Sequence, residues 1–282
     1  MLLPGHSSVR LHRFTQVSML KASLPLFDFP ELRDITDAWW TGLGRHLVRA
    51  GVTSAPTRLE RPQDLDTHWL QGSPLLSQTC GYGLLRLRHR VQLVATPCFN
   101  VPGSRGDRTG GMVLVHDHHP ASDPRELYGT HCAIDRYSSQ FGYNALRALV
   151  APLADEGRFF KTVRVTGNMR NSVLQVHRRE VDVCAVDSVT YALLARYAPG
   201  ILENVRILCH LPPAPAPPYI THKDAHLPAI QAGLEGAFAD PDLANVRASL
   251  FLGALVRLPM SQYSALDAQV RRARELGFKA LR

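Results

Sequence analysis

Four short stretches concentrate hydroxyl, amide and carboxylate side chains. They are PheAspPhe at 27–29, SerGlnThrCysGlyTyr at 77–82, AspArgTyrSerSerGlnPheGlyTyrAsn at 135–144 and ThrGlyAsnMetArgAsnSer at 166–172. Each follows a short apolar run, and open α/β sheets bind ligands at the turns beyond the carboxyl ends of their strands. The third stretch is the most informative. Ser138, Ser139 and Gln140 precede a helix whose free N–H groups and positive dipole end suit a phosphate, phosphonate or carboxylate. Serine is equally a preferred helix cap, so plain capping stands beside anion binding as a reading of Ser138 and Ser139. Thr166, Gly167 and Asn168 repeat the arrangement. Asp187 ends an apolar strand just ahead of Ser188, where it caps a helix or accepts a ligand hydroxyl or ammonium.

Other chemistry-bearing groups read as structural. HisAspHisHis at 116–119 has metal-ligating side chains but adjacent histidines rarely all face one ion, so a solvated loop is expected and no metal is assigned. Cys80 lacks a nucleophile signature and reads as a turn residue. The five cysteines are widely spaced without a CxxC pair, which excludes a structural zinc site and a small disulfide scaffold. Cys184, inside ValAspValCysAlaVal, reads as a buried small hydrophobe. ArgLeuArgHisArg at 86–90 and ArgArgAlaArg at 271–274 lack aromatic interleaving and read as solvated faces, not a nucleic-acid surface. The net charge of +8 still steers small anions toward the protein.

The elements that must position these turns alternate between short apolar runs and amphipathic patterns, as βαβ units with a largely parallel sheet do. Strands are expected at 22–27, 57–59, 75–78, 91–95, 112–115, 131–134, 159–165, 181–186 and 205–211. Helices are expected at 30–50, with Asp28 as cap, and at 62–70, 143–153, 168–177, 189–197, 225–237, 241–255 and 262–276. The glycine-rich stretch 102–111 breaks the alternation. The proline run 212–218 supplies too few N–H groups to continue a ladder and is expected to be an extended crossing. Two crossings imply a discontinuous lobe (19–100 and 217–282) and an inserted lobe (104–211), hinged about a cleft. Residues 1–18 place a Pro, two His and two Arg where a secretory leader is unbroken and apolar, and read as a dispensable tail. No window reaches the roughly 18 apolar residues of a membrane span. On the residues alone the default location is cytoplasmic.

Six segments in order, PheAspPheProGluLeu, LeuSerGlnThrCysGlyTyr, AlaThrProCysPhe, SerGlnPheGlyTyrAsnAlaLeuArg, ValThrGlyAsnMetArgAsnSerVal and ValAspValCysAlaValAspSerValThr, resemble the phosphate/phosphonate-type substrate-binding proteins of ABC importers. The resemblance spans about 23–221. It implies an α/β, two-lobed type II periplasmic-binding-protein fold and a periplasmic setting. A small anionic or zwitterionic solute would be held between the lobes and a permease would be the partner, with no cofactor, no nucleic acid and a monomeric chain. The implied ligand contacts are the Ser138–Gln140 helix start, the Thr79–Tyr82 turn, Asn168 and Asp187. The chain departs from the family in having SerSerGln followed by bulky Phe141 and Tyr143. Phe27, Phe29, Tyr82, Phe99 and Tyr143 are expected to line the cleft and favour a larger organic ligand. The full candidate set is Phe27, Asp28, Thr79, Cys80, Gly81, Tyr82, Ser138, Ser139, Gln140, Tyr143, Asn168 and Asp187, with no catalytic residue. The alternative is a leaderless cytoplasmic enzyme on the same fold, of the thiamine pyrimidine-precursor synthase kind, or a ligand sensor.

Overall fold

The computed structural model describes residues 20–282, so the tail expected at 1–18 lies outside the described residues. The strands are β1 (Lys21–Ala22), β2 (Pro74–Gln78), β3 (Val91–Phe99), β4 (Ser104–Arg105), β5 (Arg108–His116), β6 (His131–Ile134), β7 (Thr162–Val165), β8 (Val183–Asp187), β9 (Val205–Pro215), β10 (Tyr219–His222) and β11 (Leu252–Val256). They form two mixed sheets. The first is ordered β1-β2-β10-β3-β11 and the second β4-β5-β8-β6-β7, with β9 also paired to β5. Among the described residues parallel pairing is confined to β1–β2, β6–β7 and β6–β8. The expected largely parallel sheet is therefore corrected. Strands arriving after the second crossing and hairpin returns run antiparallel to their neighbours.

Helix α1 (Arg33–Arg49) follows a single turn at Pro30–Leu32 and buries Thr36, Trp39, Trp40, Leu43 and Leu47. That spacing makes one apolar stripe. It packs on α7 (Leu227–Ala239), behind the first sheet. The remaining helices are α2 (Leu65–Gln71), α3 (Gly81–Leu87), α4 (Leu146–Val150), α5 (Met169–His177), α6 (Ser188–Tyr197), α8 (Ala244–Ser249), α9 (Met260–Ser264) and α10 (Asp267–Glu275). In β8 every residue is buried, because α5 and α6 pack on it and β5 and β6 flank it. A continuous apolar run is what such an interior strand requires. Among the described residues no helix is long and apolar enough to cross a membrane.

Several expected elements differ. No strand forms at 57–59. Asp28 does not cap the first helix. Phe29 holds that position without a side-chain bond, while the Asp28 carboxylate accepts from Thr36 Oγ1 (2.5 Å) and Arg61 Nε (2.7 Å). The stretch 102–111 is not wholly irregular, because β4 and the start of β5 make a hairpin turning at Gly106, where φ is +54°. Strand β9 runs on through Leu211–Pro215. Pro212 and Pro213 are tolerated because the register shifts there, and edge strands and bulges admit proline. The helix expected at 241–255 stops at Ser249, and LeuGlyAlaLeuVal becomes β11 on the edge of the first sheet. Phe251, with φ of +56°, breaks the helix. Helix α3, read as a turn only, was missed.

The chain passes between the sheets at 100–103 and again at 216–218. The second crossing is tied down on both sides. Pro217 C=O accepts from Gln78 Nε2 (3.0 Å), and Ala216 C=O accepts from Tyr263 Oη (2.9 Å). Helix α10 packs against α4, with Phe278 and Leu281 buried beyond it. Arg147 Nη1 donates to Lys279 C=O (3.0 Å), so the last segment straps onto the helices of the second sheet.

Candidate functional site

Strands β6, β7 and β8 are mutually parallel, so their carboxyl ends lie along one edge of the second sheet. That edge presents Asp135–Arg136 after β6, Thr166–Asn168 after β7 and Asp187 at the end of β8. From the first sheet, β2 ends at Gln78 and delivers Thr79, Cys80 and Gly81 at the start of α3. A cavity of about 30 Å3 lies where these ends meet. It is lined by Pro25, Leu26, Leu65, Cys80, Gly81, Asp135, Arg136, Gln140, Phe141, Asn168, Met169, Asp187, Pro215 and Pro217. That volume admits roughly two water molecules.

Asp135 and Asp187 are buried, and Arg136, mostly enclosed, pairs with Asp135. Arg136 Nη1 donates to Asp135 Oδ2 at 2.8 Å. Its guanidinium carbon lies 5.5 Å from the centre of the Trp69 ring, and Nη2 is 3.9 Å from Cys80 Sγ. Burial pushes the Asp135 carboxyl up from its ordinary value, with Arg136 opposing. For Arg136 burial works the other way, but Asp135, Cys80 and Asp66 together outweigh it and the cation is stabilised. Burial also raises Asp187, to about 6, against the pull of two bonds from Thr190. Those bonds come from the Thr190 backbone N–H (2.7 Å) and Oγ1 (3.0 Å), so Asp187 caps α6 while facing the cavity. Asn168 likewise caps α5 through the Asn171 N–H (2.8 Å). Asp135 Oδ1 and Arg136 Nε are buried without any hydrogen-bond partner.

Local sequence explains the close packing. A Cβ on Gly142 would lie 2.0 Å from Asp135 Oδ1, so only glycine lets the carboxylate sit against the following helical turn. A Cβ on Gly111 would lie 2.2 Å from the Phe141 ring, so glycine in β5 admits that ring to the cavity wall. The turn Gln140–Ala145 is π-helical and runs into α4. Such turns recur at functional sites.

Of the expected residues, the structure brings Cys80, Gly81, Gln140, Asn168 and Asp187 together around the cavity. The others are placed elsewhere or already engaged. Phe27 stacks edge-on with Phe99 (5.3 Å) in the core, and Phe29 is buried with them. Asp28 is held by Arg61. Thr79 is wholly buried, beneath the start of α3. Tyr82 belongs to the core beside α3. Ser138 Oγ donates to Asp66 Oδ1 (2.5 Å), and Ser139 Oγ accepts from the Gly142 N–H (3.2 Å) as the cap of the π-helical turn. Tyr143 packs between Tyr137 and the Arg147 guanidinium. The aromatic wall is therefore Phe141. Asp135, Arg136 and Met169 were missed as site residues, although Asp135 and Arg136 stand at the same strand end as the serines singled out.

The imidazole of His116 is buried, 2.9 Å from Asp117, and accepts from Arg179 Nε. His119 Nδ1 accepts from the Ala121 N–H. These contacts close a turn after β5. A larger groove of about 460 Å3 follows the outer face of α1 between Trp40, Arg45 and Arg49. None of the buried polar atoms lacking partners lines it.

Comparison with known proteins agrees with this architecture. A family model for the phosphonate periplasmic substrate-binding proteins of ABC transporters matches residues 75–258. A binding-protein component of an ABC phosphonate transporter from Pseudomonas aeruginosa superposes with a TM-score of 0.74 at 10% identity, over 92% of this chain and 87% of that one. A Prochlorococcus marinus protein solved with methylphosphonate gives 0.70 at 11% identity, over 91% and 99%. A Xanthomonas citri protein bound to ATP gives 0.66 at 15% identity, over 92% and 99%. No curated protein sequence matches the chain. The neighbours share the type II periplasmic-binding-protein fold, and the family match extends over well more than half the sequence. The chain belongs to the phosphonate-type periplasmic substrate-binding proteins of ABC transporters.

Proposed function

We propose that the cavity between the two sheets holds a small anionic or zwitterionic solute, of the phosphonate or carboxylate class, for delivery to a permease. The observation that carries this reading is the pair of buried polar atoms without partners, Asp135 Oδ1 and Arg136 Nε, on two adjacent residues that line the cavity. Each unsatisfied buried group costs about 1–3 kcal/mol. An oxyanion of the ligand supplies the acceptor that Arg136 Nε lacks, an ammonium or hydroxyl on it supplies the donor that Asp135 Oδ1 lacks, and each pairing offsets that cost. The present volume is smaller than any such solute, so the sheets part about the crossings at 100–103 and 216–218 to admit it. The moving lobes are 20–100 with 217–256, and 104–211 with the segment 267–282 that straps onto α4.

The reading is of capture without covalent chemistry, by a monomer that acts on a small molecule and not on nucleic acid. The candidate nucleophiles are engaged: Ser138 with Asp66, Ser139 with Gly142, and the Cys80 thiol with the Ser138 carbonyl (3.2 Å). Burial also raises the Cys80 thiol above its ordinary value, against Arg136, which disfavours the reactive thiolate. Native mass spectrometry of the freshly purified protein, followed by denaturation, tests the proposal. Stoichiometric release of a phosphonate, phosphate ester or carboxylate is expected. A chain that releases nothing and shows no thermal shift with any such anion refutes it.

A further inference from the structure

In the 138–140 turn Ser138 spends its hydroxyl hydrogen on Asp66 and Ser139 Oγ accepts the Gly142 N–H as a cap, so at most one hydroxyl hydrogen remains of the cradle the sequence suggested. Resting on the reading just given, we propose that Arg136 takes over that task and selects the ligand. Its Nε–Nη2 edge is a prepared seat for two oxygens of an oxyanion.

The geometry of the guanidinium carries this. Its five donors lie in one plane with fixed directions. Nη1 is used on Asp135. The side-on edge is formed by Nε, which has no partner, and Nη2, whose partner is a thiol sulfur at 3.9 Å. Carboxylates and phosphonates bind such an edge through two parallel N–H···O bonds. The plane is held from two directions, by Asp135 at one end and by the Trp69 ring at its face. Arg136 lines the cavity of about 30 Å3, room for about two water molecules before the sheets part. Trp69 and Cys80 belong to α2 and the start of α3, whereas Arg136 follows β6. An oxyanion on this edge therefore sits where the two sheets meet. The second acid, Asp187, lines the same cavity.

Isothermal titration of the full chain with methylphosphonate, inorganic phosphate and acetate separates the possible headgroups and tests the assignment. Wild type is expected to bind at least one of the three. Arg136→Lys keeps the charge but loses the fork, and affinity should fall at least tenfold. The double variant Asp135→Asn/Arg136→Gln removes both charges together, and it should fold but lose the anion. In wild-type protein the Arg136 Nε–Hε resonance should shift on addition of the bound anion, a readout that depends on no variant's folding. Undiminished affinity in Arg136→Lys or the double variant, or an unmoved Nε–Hε resonance at saturation, overturns the role of Arg136 and leaves the solute-binding reading standing. Wild type that binds none of the three oxyanions overturns both.

Discussion

Replacing Asp187 by Asn should make the protein more stable at pH 8 and leave it unchanged near pH 4. The reasoning starts from burial. Asp187 is 5% exposed, and its carboxyl titrates near 6 in the folded chain against an ordinary value of 3.8. Below both values the carboxyl is protonated in folded and unfolded chains alike, so it contributes no pH dependence. Between about 4 and 6 the unfolded chain releases the proton and the folded chain retains it. Above 6 both are ionised, and the folded chain bears the whole penalty of a desolvated charge. A shift of about two pK units corresponds to about 3 kcal/mol. Stability should therefore rise as pH falls through 6. Asparagine removes the charge yet still caps helices well, so the bond from the Thr190 N–H survives. Urea unfolding of both proteins at pH 4, 6 and 8 measures the difference. The variant's advantage at pH 8 should be about 3 kcal/mol, or roughly 5–10 °C in melting temperature for a chain of this size. The same variant should bind its solute less tightly, as expected where a site is kept at the expense of stability. A variant less stable than wild type at pH 8, or a difference that does not vary with pH, would refute the argument.

Three further outcomes follow from the same geometry. Arg170 on α5 clasps Glu31, in the turn ahead of α1, through both carboxylate oxygens, a contact between the two lobes. Burial opposes ionisation of Glu31, but the bonds and charge of Arg170 win and hold it below the usual carboxylate range. Discounted for partial exposure, this clasp is worth about 1 kcal/mol, so Glu31→Gln should speed solute release about fivefold in stopped-flow fluorescence; an unchanged rate removes the clasp from the closing mechanism. Ser139→Ala should lower stability by about 1 kcal/mol in denaturant titrations through loss of the cap, with solute affinity nearly unaltered, and a tenfold loss of affinity would restore Ser139 to the binding surface. Gly142→Ala drives a methyl onto Asp135 Oδ1 and should lower stability by about 1–3 kcal/mol, the usual range for overpacking; an unchanged melting temperature would show that the carboxylate is free to move aside.

What could be read along the chain was what short-range rules govern. The strand at 131–134 and the helices beginning after Asn168 and Asp187 follow from apolar period and cap chemistry, both local properties. For the same reason the edge of the second sheet that presents the site was legible, since parallel strands ending together must present their turns together. The segment ArgAlaSerLeuPheLeuGlyAlaLeuVal satisfies helix and strand patterns equally, and only the open edge of β3 decided that its second half pairs as β11. The prolines of β9 became acceptable only because β9 has β5 on one side and a register shift opposite them.

The candidate site divides in the same way. Asn168 and Asp187 were found because a cap residue at a strand end has a single place to point. Phe27 and Tyr143 are apolar enough for a cleft or a core; packing against Phe99 put Phe27 in the core of the first sheet, and Tyr143 is buried in the second core beneath the exposed Tyr137. Arg136 shows the limit most clearly. In the sequence it is one arginine beside one aspartate, indistinguishable from a solvated pair. Its importance comes from Trp69 and Cys80, which arrive from the other sheet and take the pair out of water. Sequence alone determined the alternation of strands and helices and the turns that end them, because hydrogen bonding and side-chain period act over a few residues. Which of those turns meet, and which polar atoms of a paired charge are thereby buried without partners, was decided by the tertiary structure, because desolvation depends on neighbours distant along the chain.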